Sequence, residues 1–236
     1  MNSDKLSKRL ETVTKYIPEG ARLADIGSDH AYLPCYMVQK GGIPFAIAGE
    51  VVEGPYRSAK SHVEELGLTK KISVRKGDGL AVIQPGEVDA ITIAGMGGSL
   101  IASILEQGKS KLAGVKRLIL QPNISAISIR EWLLDNGWGL IAEEILEEDG
   151  KIYEILVAEQ GNERVAYGDN LEKGLLLGPY LLQEKNSAFQ KKWSMELATW
   201  NKILTQLKQA STSAENEKKK HELLKKIQLV EEILSK

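Results

Sequence analysis

The stretch at residues 22–34 constrains the fold of this 236-residue chain more than any other. The largely apolar stretch from Leu23 to Ile26 predicts a buried strand, Gly27 predicts a tight turn, and a polar loop leads into a helix at about Tyr32. Open α/β sheets hold nucleotides at such a unit, because glycine lets the backbone approach the ligand and the helix N-terminus presents free N–H groups. The stretch therefore predicts a nucleotide-binding α/β sheet.

The loop after this strand departs from the dinucleotide-binding fingerprint. That fingerprint requires three glycines, G-x-G-x-x-G, whereas Asp29, His30 and Ala31 lie in the loop that follows Gly27. The chain lacks the glycine that lets the backbone approach a pyrophosphate closely, and this absence argues against NAD binding. The carboxylate of Asp25 favours a cationic or hydroxyl-bearing ligand over a phosphate.

Apolar runs alternate with segments of helical period through the first two thirds of the chain. Strands are predicted at residues 23–26, 45–50, 72–76, 88–94, 117–120, 139–148 and 151–159, and helices at 4–16, 32–40, 55–66, 99–107 and 125–136. An Asp149-Gly150 turn joins the last two strands as a hairpin. The alternation predicts an α/β fold, a Rossmann-like seven-stranded sheet that is mostly parallel with one antiparallel strand.

Five predicted strand ends carry glycine, acidic or amide residues, and ligands of such sheets bind at the carboxyl ends of the strands. Glu50 follows Gly27 by 23 residues, close to the roughly 20 expected for a ribose-binding carboxylate. Asp78, between two glycines, is a candidate contact for an adenine amino group, with a plain turn as the alternative. The five groups are Gly27 to His30, Glu50, Asp78, Gly95 to Gly98 and Gln121 to Asn123.

The pattern changes after Gly161, where helical segments replace strands. Two apolar series recur at spacings of four and three, separated by a polar stretch at 211–217. The series predicts an antiparallel helical hairpin, and we place a domain boundary between 161 and 162, giving domains 1–161 and 162–236. The seam residues are Trp193, Leu197, Trp200, Leu204, Leu207, Leu223, Ile227, Val230 and Leu234.

Charge is distributed unevenly between the two predicted domains. Residues 162–236 hold 13 Lys and Arg against 10 Asp and Glu, a net charge of +3, whereas the rest of the chain carries −4. A basic helical domain on an acidic body suggests a polyanionic partner, although an ordinary solvated helix surface explains the same charges.

Other features exclude several classes of protein. The single cysteine, Cys35, permits no intramolecular disulfide, and its apolar neighbours indicate a buried side chain. No apolar run reaches the roughly 20 residues of a membrane helix, and the N-terminal residues are too polar for a signal peptide. The three histidines are scattered without cysteine partners, so no metal site is predicted. We expect a cytoplasmic protein that does not bind a membrane.

The order of strands and loops resembles that of class I S-adenosylmethionine-dependent methyltransferases. In that class the first strand ends in acid-x-Gly, matched by Asp25-Ile-Gly27, and the second ends in a ribose-binding acid, matched by Glu50. An acid near the adenine follows the third strand and is matched by Asp78. The resemblance implies S-adenosylmethionine as cofactor. It implies cofactor contacts from Asp25, Gly27, Ser28, Glu50, Val51, Asp78, Gly79, Gly95 and Met96.

Four motifs in order resemble one subfamily, the bacterial tRNA adenine-22 N1-methyltransferases. The motifs are Asp25-Ile-Gly-Ser-Asp-His-Ala-Tyr-Leu-Pro34, Lys76-Gly-Asp-Gly79, Ala94-Gly-Met-Gly-Gly98 and Leu120-Gln-Pro-Asn123. These proteins also carry a C-terminal coiled-coil hairpin, so the resemblance covers essentially the whole chain. It implies an enzyme that methylates N1 of adenine 22 in tRNA, with residues 1–161 as the cofactor-binding domain. We separately expect a monomer.

The chemistry of this reaction suggests roles for the remaining polar residues. Adenine N1 has a free lone pair, so positioning matters more than a general base. Asp29 could accept from the adenine amino group, contact the methionine amino group of the cofactor, or cap the following helix. His30 and Tyr32 would shape the pocket, and Gln121 and Asn123 would read the base edge. The glycines at 95–98 would let the base approach.

Competing functions share parts of this sequence pattern. A methyltransferase of another RNA, a protein or a small molecule would have the same cofactor half. A non-catalytic nucleotide sensor or RNA-binding adaptor would have the same fold, because fold does not fix function. An NAD-dependent oxidoreductase is disfavoured by the missing glycines.

Overall fold

The computed structural model describes residues 5–209 and 213–235. Contacts between Cα atoms divide the chain into two compact units, Met1–Tyr180 and Leu181–Lys236. This division falls later than the boundary predicted between 161 and 162. The reason is that Tyr167 belongs to the core beneath the sheet and the helix at Leu171–Leu177 contacts the helix at Ala126–Asp135.

The first unit contains seven strands and six α-helices within its described residues. The strands are β1 (Arg22–Ile26), β2 (Phe45–Glu50), β3 (Ile72–Lys76), β4 (Ala90–Gly97), β5 (Arg117–Ile124), β6 (Trp138–Glu148) and β7 (Lys151–Gln160). The helices are α1 (Lys8–Thr14), α2 (Tyr32–Gln39), α3 (Glu53–Glu65), α4 (Gly98–Gln107), α5 (Ala126–Asp135) and α6 (Leu171–Leu177). Short 3₁₀ turns lie at Gly79–Val82, Lys109–Leu112 and Val165–Tyr167.

The strands form one sheet in the order β3-β2-β1-β4-β5-β7-β6. Strand β7 is antiparallel to both of its neighbours, and the pairings among β1 to β5 are parallel. The predicted mostly parallel sheet with one antiparallel strand is thereby confirmed. The predicted hairpin is also present, since Asp149 and Gly150 have φ angles of 50° and 75°, the positive values that a two-residue type I′ turn requires.

Both faces of the sheet are buried. Neighbouring residues of one strand point to opposite faces, so Ile47 and Leu118 join one apolar cluster while Ala46 and Ile119 join the other. Burial on both faces explains why the strands read as continuous apolar runs instead of alternating patterns. The carboxyl ends of the parallel strands are left at one edge, where side chains can meet a ligand.

Several element boundaries in the first unit differ from the sequence prediction, and three of them differ by three or four residues. Strands β4 and β5 continue past their predicted ends at 94 and 120, because Met96 pairs with Pro122 and Gly97 pairs with Ile124 after a register irregularity. Helix α1 begins at Lys8 and not at residue 4. Ser7 is its N-cap, because the Ser7 hydroxyl accepts from the backbone N–H of Leu10. The first four residues lie outside the described part.

The second unit consists of α7 (Leu181–Glu184), α8 (Ser187–Gln209) and α9 (Ala214–Leu234). The Nζ of Lys185, just before α8, donates to the carbonyl of Ile233 at the end of α9 over 3.4 Å, so the two long helices are antiparallel as predicted. Ile233 is buried where the heptad pattern expected Leu234. The polar break is shorter than predicted because Ser213 caps α9, and residues 210–212 lie outside the described part.

Within the described residues, no helix is long and apolar enough to cross a membrane.

Gly98 at the start of α4 is a position where a side chain cannot fit. A Cβ atom there would lie 2.0 Å from the carbonyl oxygen of Ser125. We expect Gly98→Ala to lower the free energy of unfolding by about 1–3 kcal/mol, as overpacking does. The matched control is Gly54→Ala in α3, where no atom lies within 4 Å and about 0.5 kcal/mol of stabilisation is expected. Urea denaturation measures both, and equal stabilities for the two variants would contradict the packing at Gly98.

Candidate active site

A cavity of about 240 Å³ opens at the carboxyl ends of β1 and β4. It brings together six of the residues predicted from sequence. Its lining consists of Arg9, Leu10, Asp25, Gly27, Ser28, Asp29, Leu33, Ala94, Gly95 and Met96. Asp78 and Gly79 line a second cavity of about 260 Å³ with residues of α4 and the 3₁₀ turn that follows it. The other predicted site residues belong to neither lining: His30, Tyr32, Glu50, Val51, Gln121 and Asn123.

Asp25 at the end of β1 is buried and bound by two hydroxyl groups. The Oγ of Ser28 and the Oγ1 of Thr92 each donate to one of its carboxylate oxygens over 2.6 Å. Burial raises the pKa of Asp25, and the two hydroxyl donors and the charge of Arg9 partly offset that effect. With both oxygens engaged, Asp25 holds the loop at the floor of the cavity.

Glu50 at the end of β2 fastens the loop that follows Gly27. The backbone N–H groups of Gly27 and Ser28 both donate to the carbonyl of Gly49, and the N–H of Asp29 donates to Oε1 of Glu50. Glu50 is 6% exposed, and burial raises the pKa of its carboxyl group. Its Oε2 has no hydrogen-bond partner among the described residues. One oxygen therefore orders the loop and the other can accept from a ribose hydroxyl.

The backbone of the loop is strained at three consecutive positions. Asp29, His30 and Ala31 have φ angles of 37°, 61° and 55°, in a region that residues with a side chain rarely occupy. Each such residue costs on the order of 1 kcal/mol, and strain of this kind gathers at functional sites. Ala31 is the N-cap of α2 and no side chain caps that helix. The interpretation of Asp29 as a helix cap is therefore wrong.

Asp29 faces solvent beside a group of half-buried aromatic residues. The Asp29 side chain is 72% exposed, and its Oδ1 lies 3.6 Å from Nε2 of His30. The His30 ring stacks on Tyr32 with centroids 5.2 Å apart, and Tyr32 meets the edge of His62 at 5.0 Å. An exposed carboxylate beside an aromatic stack can contact the polar edge and the face of a purine.

Gln121 and Asn123 hold the backbone of Gly95. The Oε1 of Gln121 accepts from the N–H of Gly95 over 3.1 Å and from Nη1 of Arg9, while its Nε2 donates to the carbonyl of Pro122 over 2.8 Å. Asn123 donates from Nδ2 to the carbonyl of Gly95 over 2.8 Å. Gln121 is fully buried with its amide engaged, so the predicted reading of a base edge by this residue is wrong for this structure.

Glycine at position 27 leaves room for a neighbouring side chain. Gly27 has a φ of 70°, and a Cβ atom there would lie 2.1 Å from the Cε of Met96.

Val51, just beyond Glu50, is 56% exposed and offers an apolar surface near the end of β2. An exposed valine beside the carboxylate of Glu50 offers a surface that suits contact with a flat adenine ring.

Arg9 lines the cavity, although nothing in the sequence predicts it as a site residue. It lies on α1, far in sequence from the strand ends, and reaches the cavity through its long side chain. A charged residue on an amphipathic helix such as α1 is usually exposed to solvent, so the sequence pattern does not distinguish Arg9 from a surface residue. Among the described residues there is no cluster of three or more His, Cys, Asp or Glu side chains that could hold a metal ion.

Comparison with known proteins decides the family. The tRNA (adenine(22)-N(1))-methyltransferase family model, TrmK, matches residues 23–232. The chain belongs to this family. A curated tRNA (adenine(22)-N(1))-methyltransferase from Bacillus subtilis is 57% identical over 235 residues, which cover 99% of both chains. The crystal structure of the B. subtilis enzyme has a TM-score of 0.95 at 57% identity and covers 98% of this chain and 99% of that one.

Two further similar structures hold the cofactor or its product. A Streptococcus pneumoniae relative in complex with S-adenosyl-L-methionine is 46% identical, with a TM-score of 0.86, and covers 98% of this chain and 100% of that one. M. capricolum TrmK in complex with S-adenosylhomocysteine is 28% identical, with a TM-score of 0.80, and covers 98% of each chain. The predicted family and fold are both confirmed.

The raised pKa of Glu50 gives a test of its role. Because burial disfavours its carboxylate, folding loses stability as pH rises through the raised pKa. We expect Glu50→Gln without ligand to have a higher Tm than wild type at neutral pH, and this difference to vanish at low pH. Affinity for S-adenosylhomocysteine should fall about 10-fold, since a charge-assisted hydrogen bond is lost. A lower Tm with unchanged affinity would contradict this role.

Proposed function

We propose that this protein transfers the methyl group of S-adenosylmethionine to N1 of adenine 22 in tRNA. The observation that carries the proposal is 57% identity to the B. subtilis enzyme of that activity across 99% of both chains. The cavity, the ordered loop and the exposed Asp29 lie at the sheet edge where such folds bind ligands.

The residues at the strand ends fit S-adenosylmethionine. The unpartnered Oε2 of Glu50 suits a ribose hydroxyl, and Asp78 and Gly79 border a cavity that can take the adenine. Asp25, Gly27, Ser28, Gly95 and Met96 line the cavity left for the rest of the cofactor. Val51 supplies apolar surface beside the ribose.

The reaction requires placement of the target base more than acid–base catalysis. The cofactor supplies an electrophilic methyl group on a sulfonium sulfur. A carbon–nitrogen bond forms at N1 as the sulfur–carbon bond breaks, and the positive charge passes to the purine. We assign to Asp29 the role of accepting a hydrogen bond from the adenine amino group, which stabilises that charge. His30 and Tyr32 form an aromatic wall, and Asn123 and Gln121 fix the backbone at Gly95 where the base enters.

Two tRNA transcripts test the proposed position of the methyl group. One carries adenine at position 22, and the other carries guanine there and is otherwise identical. Incubated with tritiated S-adenosylmethionine, the first should take up label and the second none. Equal labelling of both would place the methyl group elsewhere in the tRNA, and a wild-type protein that labels neither would contradict the proposal.

The basic helical hairpin is proposed to hold tRNA phosphates. Lys225 and Lys226 are adjacent and exposed on α9. We expect Lys225→Gln with Lys226→Gln to weaken tRNA binding roughly 10-fold at low salt and to make its salt dependence less steep, as the loss of about two phosphate contacts would. The matched control is Lys70→Gln with Lys71→Gln, an exposed pair in the first unit, just before β3.

Filter binding over a range of salt concentrations measures this effect, and calorimetry with S-adenosylhomocysteine checks that cofactor affinity is unchanged. If the hairpin variant binds tRNA as the control does, the hairpin has no role in tRNA binding.

Adenine N1 lies in the pairing face of the base, so the target must also be unpaired or flipped out to react. We propose further that the protein acts as a monomer in the cytoplasm.

A further inference from the structure

The guanidinium of Arg9 stands on the rim of the cofactor cavity with most of its donors unused. Among the described residues that line the cavity it is the one basic side chain. Of its five N–H donors, only one on Nη1 has a hydrogen-bond partner in the described part of the chain, the Oε1 of Gln121. An arginine left this way can still bind a planar anion.

The side chain of Arg9 is fixed before any ligand arrives. The buried amide of Gln121 holds it from one side, and its guanidinium carbon lies 5.2 Å from the ring centroid of Tyr153. Both partners come from strands of the sheet, so the arginine is anchored to the rigid part of the molecule. Side-chain freedom that is lost in advance does not have to be lost on binding.

The backbone that carries Arg9 is anchored separately. The carboxylate of Glu148, at the end of β6, accepts from the backbone N–H of Lys8 over 2.6 Å and from that of Arg9 over 3.1 Å. These are free donors of the first helical turn, which a carboxylate satisfies and which the helix dipole favours. Glu148 thereby ties α1 to the β6–β7 hairpin and sets the position from which Arg9 reaches the cavity.

The cavity has two electrostatic sides. Arg9 supplies positive charge on one side, and the carboxyl oxygens of the buried Asp25 supply hydrogen-bond acceptors on the floor. The methionine end of the cofactor is an α-amino acid zwitterion, with a carboxylate and an ammonium group on one carbon. We propose that Arg9 binds the α-carboxylate of this amino acid end and that Glu148 is the positioning residue for Arg9. The inference rests on the proposed function, because it takes S-adenosylmethionine as the methyl donor.

Two ligands that differ only in the carboxylate test this assignment. S-adenosylhomocysteine carries it, and decarboxylated S-adenosylhomocysteine keeps the adenosine and the ammonium group without it. Calorimetry should show that wild type binds the complete ligand roughly 10- to 100-fold more tightly, the worth of a charge-assisted contact. Arg9→Gln should lose that preference and bind both ligands within about threefold of each other. Arg9→Lys should keep part of it, and Lys8→Gln, the neighbouring exposed control, should keep all of it.

Glu148→Ala should reduce the preference for the carboxylate several-fold while binding the decarboxylated ligand as wild type does. If a variant loses the same factor of affinity for both ligands, the substituted residue, Arg9 or Glu148, acts only by supporting the fold. That result would overturn its assigned role. An unchanged preference in Arg9→Gln would also overturn the assignment, and weaker tRNA binding in that variant would make Arg9 an RNA contact instead. If wild type binds neither ligand, the proposed function itself fails.

Discussion

Asp29→Ala is expected to slow methyl transfer by at least about 100-fold, the loss typical for removal of one group that stabilises transition-state charge. The exposed carboxylate lies on a loop held in a strained conformation beside the cavity. The loop itself is fastened through the backbone of Asp29 to Glu50, a contact that the substitution leaves in place. Affinity for S-adenosylhomocysteine should therefore stay within about twofold of wild type.

Single-turnover kinetics with tRNA and calorimetry with S-adenosylhomocysteine separate the two possible roles of Asp29. Asp29→Asn is the matched variant, because it keeps an acceptor oxygen without the charge and should retain part of the rate. Loss of cofactor affinity in Asp29→Ala, with the rate restored at saturating cofactor, would instead assign Asp29 to the methionine amino group.

Arg130→Ala is expected to lower the free energy of unfolding by about 3–5 kcal/mol. Arg130 on α5 is fully buried, and it donates from Nε to Glu143 and from Nη2 to Glu154, each over 2.7 Å. It also donates from Nη1 to the carbonyls of Leu175 and Leu176 at the end of α6. Without it, the buried carboxylates of Glu143 and Glu154 would each lose their ion pair with a buried guanidinium.

The matched control is Arg57→Ala on α3. Arg57 also pairs with a glutamate, Glu53, over 2.6 Å, but its side chain is 77% exposed. An exposed pair of this kind contributes less than about 1 kcal/mol. Chemical denaturation of the two variants should therefore give very different losses of stability. A small loss for Arg130→Ala, similar to that for Arg57→Ala, would contradict the importance of the buried cluster.

The sheet could be predicted from sequence because local signals agree along this part of the chain. Buried strands appear as apolar runs, glycines mark their ends, and the Asp149-Gly150 turn fixes the hairpin. The extension of β4 and β5 was not predictable, since it depends on pairing between Met96 and Pro122, which lie in different segments. The same holds for the unit boundary, which depends on the packing of Tyr167 beneath the sheet.

The site was predictable as a set of strand ends, and the contacts within it were not. Gln121 has the residue type and position of a ligand contact, yet its amide is consumed by Arg9, Gly95 and Pro122. Arg9 gave no signal, because a charged residue on an amphipathic helix has the same pattern whether it meets water or a cavity. From the sequence, Arg130 likewise has the pattern of an exposed charged residue, whereas in the structure it lies between two carboxylates.

The most direct measurement is a nucleoside digest. The protein is incubated with unmodified tRNA and S-adenosylmethionine that carries a deuterated methyl group. The tRNA is then digested to nucleosides, which are separated and identified by mass spectrometry. We predict deuterated 1-methyladenosine, absent from a parallel reaction with Asp29→Ala sampled at the same early time. A different methylated nucleoside, or no methylated nucleoside from protein that binds S-adenosylmethionine, would contradict the assignment of this protein as an adenine N1-methyltransferase.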